Sequence, residues 1–412
     1  MTFLCRTVSP ALRFAPLLIC SMTLVRSAAH AAGKPRPHPD AAPTIVRTPS
    51  GVTEVGTLDG TPYRIDVPTA WNHKLVVFFH GYSETPYTYT ATKPPNEQVE
   101  PIVERGYAVV ESGYSRTGWA LAEAYPETEL LRLYFVKHYG QPAEGKAAKT
   151  METLVVGGSM GGALVTAALE QNPKPYSGGL SLCGSIGPTD LAFQRRFAWR
   201  AAFDFYFPNL LPGPAAVPAD YVETPALRLR VLDALRAKPE AATELRNLTW
   251  LHTDRELADA MVYFTYVIAD MQQRSGGNPF DNRDFLYTGT TPGSTASDNA
   301  LNDGVHRYTG DLAARVYLIH HYTPTGHLTH PMLELHTTYD PRVPTNTMPI
   351  YAEQVALAGS SQNFVEQYVK RDGHCNFTED DIGRAFDELV NWIHDGRRPI
   401  PGALPPTPRI VR

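Results

Sequence analysis

Lysine and arginine nowhere gather into a block, and the formal net charge is −5. A nucleic-acid partner needs a basic patch or stripe to meet its phosphates, so none is expected. Long hydrophobic runs are also missing. The longest near the N-terminus, residues 14–25, falls short of the ~20 apolar residues that cross a bilayer, so no stable span is expected in the mature chain. Cysteine is scarce, four in 412 residues, too few for a disulfide-built scaffold. Such a length holds one large domain with an insertion, or two ordinary domains.

The first residues have the three parts of an export signal. Arg6 and Arg13 supply positive charge, residues 14–25 an apolar run, and Ala29-His30-Ala31 a cleavage site of small residues. Residues 1–31 therefore read as a signal peptide, with an uncleaved tether as the alternative, and the mature protein is expected outside the cell or in a periplasm. Residues 32–50, polar and rich in proline, read as a flexible lead-in. Removal of the signal takes Cys5 and Cys20 with it, leaving Cys183 and Cys375. Two cysteines in an oxidising compartment commonly pair; the alternative is two buried free thiols.

Beyond the lead-in, residues 51–67 alternate like an edge hairpin with Asp59-Gly60 at its turn. Continuous apolar runs then recur at residues 74–79, 107–110, 154–156 and 179–183, separated by helical stretches. Runs of this kind suit strands buried on both faces, and strand–helix alternation predicts a mostly parallel sheet covered on both sides. The alternation stops over residues 188–329, which are proline-rich, aromatic and largely helical, with helices expected at residues 227–236 and 256–271. It resumes at residues 332–336 and 364–370, followed by a helix capped by Thr378 with Glu379, Asp380 and Asp381 in its first turn. The chain thus reads as one α/β core, residues 51–187 and 330–398, interrupted by an insertion, residues 188–329. A proline-rich tail, residues 399–412, closes it.

The chemistry is written most clearly in Val155-Val156-Gly157-Gly158-Ser159-Met160-Gly161-Gly162, an apolar strand running through G-x-S-x-G into helix-forming sequence. That is the wording of a nucleophile elbow, a turn so sharp that the serine hydroxyl stands exposed. Small residues at Gly157, Gly161 and Gly162 would avoid collision with the neighbouring strand and the new helix. A serine hydroxyl is a poor nucleophile until a base takes its proton, and the base needs an acid to orient it. In sheets of this type these follow in the order Ser, Asp, His, each after a later strand. Asp340, in Tyr339-Asp340-Pro341-Arg342, and His374, in Gly373-His374-Cys375, meet that requirement. Asp190 and Asp372 are the rival acids.

Two amides are expected to face a developing oxyanion: that of Met160, directly after the serine, and that of Tyr82, after His80-Gly81. His80 is expected to be a structural hydrogen-bonding residue. Trp119, Tyr263 and Tyr266 are candidate substrate contacts, with packing beneath the insertion as the bland alternative. His320, His321, His327, His330 and His336 match no familiar zinc spacing, so no metal is expected. Cys183 ends the strand after the nucleophile helix and Cys375 follows the base, which brings both to the same sheet edge, within reach of a bridge.

Together these motifs resemble the α/β-hydrolase superfamily. The resemblance implies an eight-stranded mostly parallel sheet, a cofactor-free acyl-enzyme mechanism and a lid inserted between the sixth and seventh strands. The Tyr82 and Met160 pair resembles the oxyanion donors of bacterial cutinases and polyester hydrolases. His374-Cys375 resembles feruloyl esterases and tannases, although their partner cysteine precedes the serine, where this chain has Gly158. The expected activity is hydrolysis of a small-molecule or polymeric carboxylic ester. A serine peptidase on the same fold and a non-catalytic binding protein are the alternatives. Nothing in the sequence indicates an oligomeric state.

Overall fold

A computed structural model describes residues 38–140 and 151–404. The expected signal peptide, the first part of the lead-in and the last part of the tail lie outside the described residues. The chain opens with strands β1 (Thr44–Thr48), β2 (Gly51–Leu58), β3 (Thr61–Pro68) and β4 (Leu75–Phe79). Then come α1 (Glu100–Glu104), β5 (Ala108–Ser112), α2 (Leu121–Tyr139), β6 (Thr153–Gly158), α3 (Met160–Gln171) and β7 (Gly179–Leu182). Six helices follow without a strand: α4 (Thr189–Tyr206), α5 (Pro225–Ala237), α6 (Pro239–Thr249), α7 (Asp254–Ser275), α8 (Ala296–Gly304) and α9 (Leu312–His320). Alternation returns with β8 (Met332–Tyr339), α10 (Met348–Leu357), β9 (Phe364–Asp372), α11 (Glu379–Asp395) and β10 (Gly402–Ala403).

All ten strands join one sheet in the order β1-β2-β3-β5-β4-β6-β7-β8-β9-β10. The first three form an antiparallel meander, β3 pairs antiparallel with β5, and every later pairing is parallel. Alternation along β4 sends Leu75, Val77 and Phe79 to the layer that holds α2, α3 and α10. Val76 and Phe78 go to the layer that holds α1 and α11. All five are fully buried, which is why the strand shows no polar positions. The turn between β2 and β3 carries positive φ at both Asp59 (52°) and Gly60 (76°), as a two-residue hairpin of type I′ requires. Thr378 caps α11 by accepting from Asp381 N–H, while the Asp381 carboxylate accepts from Thr378 N–H.

The structure corrects several expectations. Residues 44–48, expected within the flexible lead-in, pair along their whole length with β2; they form an edge of the sheet and are mostly exposed, Ile45 included. Residues 402–403, expected in the draped tail, pair in parallel with β9. The sheet therefore has ten strands rather than eight. Four helices of the insertion, α4, α6, α8 and α9, were not anticipated. Its last stretch also differs, because Tyr322 and Leu328 pack in the main core with α3 and α10 rather than with the inserted helices.

The inserted helices have a core of their own, with Trp199, Phe203, Leu232, Leu235, Leu245, Met261 and Phe264 buried in it. A second cluster, including Phe193, Phe197, Ile268 and Phe280, packs against Tyr82 and Trp119 of the main core. Polar contacts reinforce this join. Asp270 of α7 accepts from Trp119 N–H (2.7 Å) and Tyr82 O–H (3.2 Å), and Arg196 of α4 donates to the Arg342 carbonyl (2.7 Å). Tyr82, Trp119 and Arg342 follow the carboxyl ends of β4, β5 and β8 respectively, so the insertion touches three loops at that edge of the sheet.

Candidate active site

Ser159 sits between β6 and α3 with φ 56° and ψ −116°, a left-handed conformation that a non-glycine residue adopts only under constraint. Three backbone bonds hold it there: Ser159 N–H to Leu182 O (2.9 Å), Gly162 N–H to Ser159 O (3.0 Å) and Ser185 N–H to Ser159 O (3.0 Å). The surrounding glycines leave no room for side chains. A Cβ on Gly157 would lie 2.3 Å from Gly161 O, one on Gly161 would lie 2.0 Å from Phe79 O, and one on Gly162 would lie 2.4 Å from Gly184 Cα.

The structure brings the three residues of the proposed relay together. His374 Nε2 is 2.8 Å from Ser159 Oγ, and His374 Nδ1 is 2.7 Å from Asp340 Oδ2. A carboxylate only accepts, so Nδ1 carries the proton and Nε2 is left to accept from the serine hydroxyl. The other oxygen of Asp340 accepts from Arg342 N–H (2.8 Å) and Val343 N–H (2.9 Å), which fixes the carboxylate plane. Burial alone would raise the Asp340 pKa. The hydrogen bond and charge of His374, aided by His336 and the Val343 amide, outweigh it and hold the carboxyl below its ordinary range. The loop carrying His374 is anchored by Gly373 N–H to Tyr339 O (2.9 Å) and Thr337 O–H to Gly373 O (3.0 Å). Gly373 has φ 110°, the swing that returns the imidazole over the sheet. Neither Asp190 nor Asp372 hydrogen-bonds or ion-pairs with the imidazole among the described residues.

Gly81 lies directly against the serine, since a Cβ there would meet Ser159 Cβ at 3.2 Å. Gly81 immediately precedes Tyr82, and the Met160 N–H is the first of α3 with no carbonyl one turn earlier. His80 is sandwiched between the rings of Tyr87 (3.7 Å) and Tyr114 (3.8 Å), with Nδ1 2.7 Å from Gly81 O. Burial pushes its pKa down to about 3, so it is a neutral buttress of this loop.

The three candidate contact residues converge on α7 and its neighbours. The Tyr82 ring meets Tyr263 (6.0 Å) and Tyr266 (6.3 Å) edge-on, and Trp119 packs edge-on against Phe193 (4.8 Å). The Arg342 guanidinium lies 4.3 Å over the Tyr263 ring. The sequence reading missed Asp270, Arg274, Arg196, Arg342 and an acid pair, Glu84 and Glu223. One signal was available: Tyr263, Tyr266, Asp270 and Arg274 recur at three- and four-residue spacing, one face of a helix. Arg274 binds both Asp270 (2.9 Å) and Glu123 of α2 (3.2 Å). The buried side chain of Glu223 pairs with Arg228. Burial and the neighbouring Glu84 carboxyl push it up to about 7.

Cys183 and Cys375 are joined by a disulfide with Cα atoms 5.2 Å apart, so the free-thiol alternative falls. The bond ties the end of β7 to the residue after His374.

Without its two edge strands the sheet runs β2-β3-β5-β4-β6-β7-β8-β9, with the elbow after its fifth strand and the inserted helices between its sixth and seventh. The fold is that of the α/β-hydrolases. No protein-family model and no curated protein sequence matches the chain. Among solved structures, a double mutant of esterase E40 is 13% identical with a TM-score of 0.41, covering 85% of this chain and 87% of its own. The acylaminoacyl peptidase of Pyrococcus horikoshii is 13% identical with a TM-score of 0.41. A puromycin-hydrolyzing peptidase of Mycobacterium tuberculosis is 15% identical with a TM-score of 0.38. This chain spans 41% of the length of each of those two peptidases.

Proposed function

We propose that this α/β-hydrolase is an exported serine hydrolase of carboxylic esters. The observation that carries the reading is the unbroken relay Asp340–His374–Ser159, at 2.7 and 2.8 Å. Ser159 Oγ attacks the ester carbonyl as its proton passes to His374 Nε2, and Asp340 stabilises the imidazolium that forms. The Met160 and Tyr82 amides then donate to the oxyanion. His374 returns the proton to the leaving alcohol, and water repeats the sequence on the acyl-enzyme to release the acid. An intact relay also argues against a non-catalytic binding protein on this scaffold. The aromatic face of α7 with Trp119 forms a wall of the substrate site, and the insertion acts as its lid. The signal-like N-terminus and the disulfide support export.

A second reading, a peptidase acting on substrates with a free amine, is favoured by the Glu84 and Glu223 pair. Two adjacent carboxyls hold together with a shared proton or a cation beside them; Arg228 already supplies one cation to Glu223, and a substrate ammonium would supply a second to the pair. The test is a fluorophosphonate label with a panel of ester chain lengths beside aminoacyl amides. Labelling at Ser159 with turnover of esters supports the main reading, and faster turnover of aminoacyl amides selects the second. Absence of labelling at Ser159 in folded protein refutes both.

A further inference from the structure

Beside the general base lie two sulfurs that catalysis does not use. Cys183 Sγ, Cys375 Sγ and His374 Nε2 all lie within 4.8 Å of one another, with Cys375 Sγ 3.7 Å from Nε2. Zinc binds thiolate sulfur at ~2.3 Å and imidazole nitrogen at ~2.0 Å in tetrahedral sites. Those bond lengths make the sulfur–nitrogen edge about 3.5 Å and the sulfur–sulfur edge about 3.8 Å. The Cys375–His374 edge is already close to that length, and Cys183 Sγ lies within 4.8 Å of the same nitrogen. The sulfur–sulfur edge cannot form while the two sulfurs are bonded, and their Cα atoms stand 5.2 Å apart.

A further feature suits a metal. The imidazole is held from behind by the buried Asp340 carboxylate at Nδ1, the arrangement that fixes tautomer and ring orientation in zinc-ligating histidines and leaves the Nε2 lone pair outward. Ser159 Oγ engages that lone pair at 2.8 Å in the oxidised chain, so a metal would displace this hydrogen bond, with a hydroxyl or water completing four-coordination.

We propose that the reduced chain carries an inhibitory zinc site formed by Cys183, His374 and Cys375, which the disulfide closes. The proposal rests on the reading of His374 as the general base. A dithiol supplies two electrons and two protons to the disulfide, giving two cysteine thiols and the oxidised, cyclised dithiol. Zinc(II) then displaces both thiol protons to solvent and takes the Nε2 lone pair, with no electron transfer. Nε2 so engaged cannot accept the Ser159 proton, so hydrolysis stops. Formation of the disulfide removes two of three ligands and frees the base, which makes oxidation the step that switches the enzyme on wherever zinc is present.

The experiment uses the mature chain, oxidised or reduced anaerobically, titrated with cobalt(II) and then zinc(II). The reduced protein should develop thiolate-to-cobalt charge-transfer absorption that saturates at a single equivalent and is abolished by zinc. Its hydrolysis of a small ester should fall in step with zinc and return on chelation after reoxidation, while the oxidised protein shows neither effect. The Ser159→Ala variant keeps all three ligands and should give the same absorption without activity. The Cys183→Ser, Cys375→Ser double variant should lose it. Reduced, folded protein without thiolate–cobalt absorption overturns the proposal, as does zinc inhibition equal in both redox states. If the oxidised protein neither labels nor hydrolyses esters, the catalytic reading fails, while the cobalt spectrum still decides the metal site.

Discussion

Glu111 is the place where the fold's pH dependence can be measured one residue at a time. It lies in the middle of the sheet, paired with Arg64 of β3 and Phe78 of β4, and is 4% exposed. Burial, and then the like charge of Asp66, push its pKa up from 4.5 to about 8; Arg64 and Tyr89 pull the other way. Between those values the folded state binds a proton that the unfolded state has released, so stability must fall as pH rises through this window and level off above it. At about 1.36 kcal/mol per unit, the penalty is about 1 kcal/mol at pH 5, about 3 at pH 6.5 and about 4–5 at pH 8.5. Glu111→Gln keeps the shape of the protonated acid and cannot ionise. Urea unfolding of both proteins at pH 5, 6.5 and 8.5 should show the variant gaining on the wild type by roughly 3–4 kcal/mol across the series. Buried acids that do not interact with Glu111 contribute equally to both proteins and cancel. A difference that stays constant with pH would show that Glu111 is ionised in the folded chain, and the reasoning would fail.

Four more outcomes are expected. Ser159→Ala should abolish fluorophosphonate labelling and reduce turnover by at least ~10⁴-fold with an unchanged melting curve; full labelling of the variant would exclude Ser159 as the nucleophile. Asp340→Asn should cost about 10⁴-fold in kcat because the amide orients the wrong imidazole tautomer, measurable with any small ester substrate. Gly161→Ala should prevent the elbow from forming, since its Cβ would lie 2.0 Å from Phe79 O; soluble, labelling-competent protein would contradict the packing. Asp270→Ala removes the acceptor shared by Tyr82, Trp119 and Arg274, so amide hydrogen exchange in α7 should accelerate well before that in β6.

The parts of the site that the sequence disclosed are those whose chemistry constrains neighbouring residues. Ser159 announces itself because its turn forbids side chains at Gly157 and Gly161, and Asp340 and His374 because strand order dictates where they fall. The Cys183–Cys375 bridge was readable for the same reason, both residues being tied to strand ends. Asp270, Arg196 and the Glu84–Glu223 pair were not readable. Each acts across contacts between segments far apart in the chain, and a lone acid or base on a helix looks the same whether it faces solvent or a partner. Strand β1 was hidden because an edge strand needs no continuous apolar run. Helices α4 and α6 were obscured by the prolines at their starts, Pro188 and Pro239, which interrupt the periodicity without preventing a helix there, and α8 and α9, nine residues each, are too short to show a helical period.

The placement of the inserted helices between β7 and β8 has a kinetic consequence. These strands are hydrogen-bonded neighbours, Leu182 opposite Leu335, yet about 150 residues separate the end of one from the start of the other. Closing a loop of that length, against a minimal crossover of about a dozen residues, adds about 2 kcal/mol of entropy to the barrier before any pairing energy is gained. Six of the ten strands, β2 to β7, can assemble from shorter-range contacts, whereas β8 and β9, which bring Asp340 and His374, must wait for this closure. Prior collapse of the inserted helices around Trp199, Phe203 and Phe264 would shorten the effective loop. Synthesis of the chain therefore presents the nucleophile long before the base that activates it, and competence for catalysis should be the last property that a refolding molecule acquires.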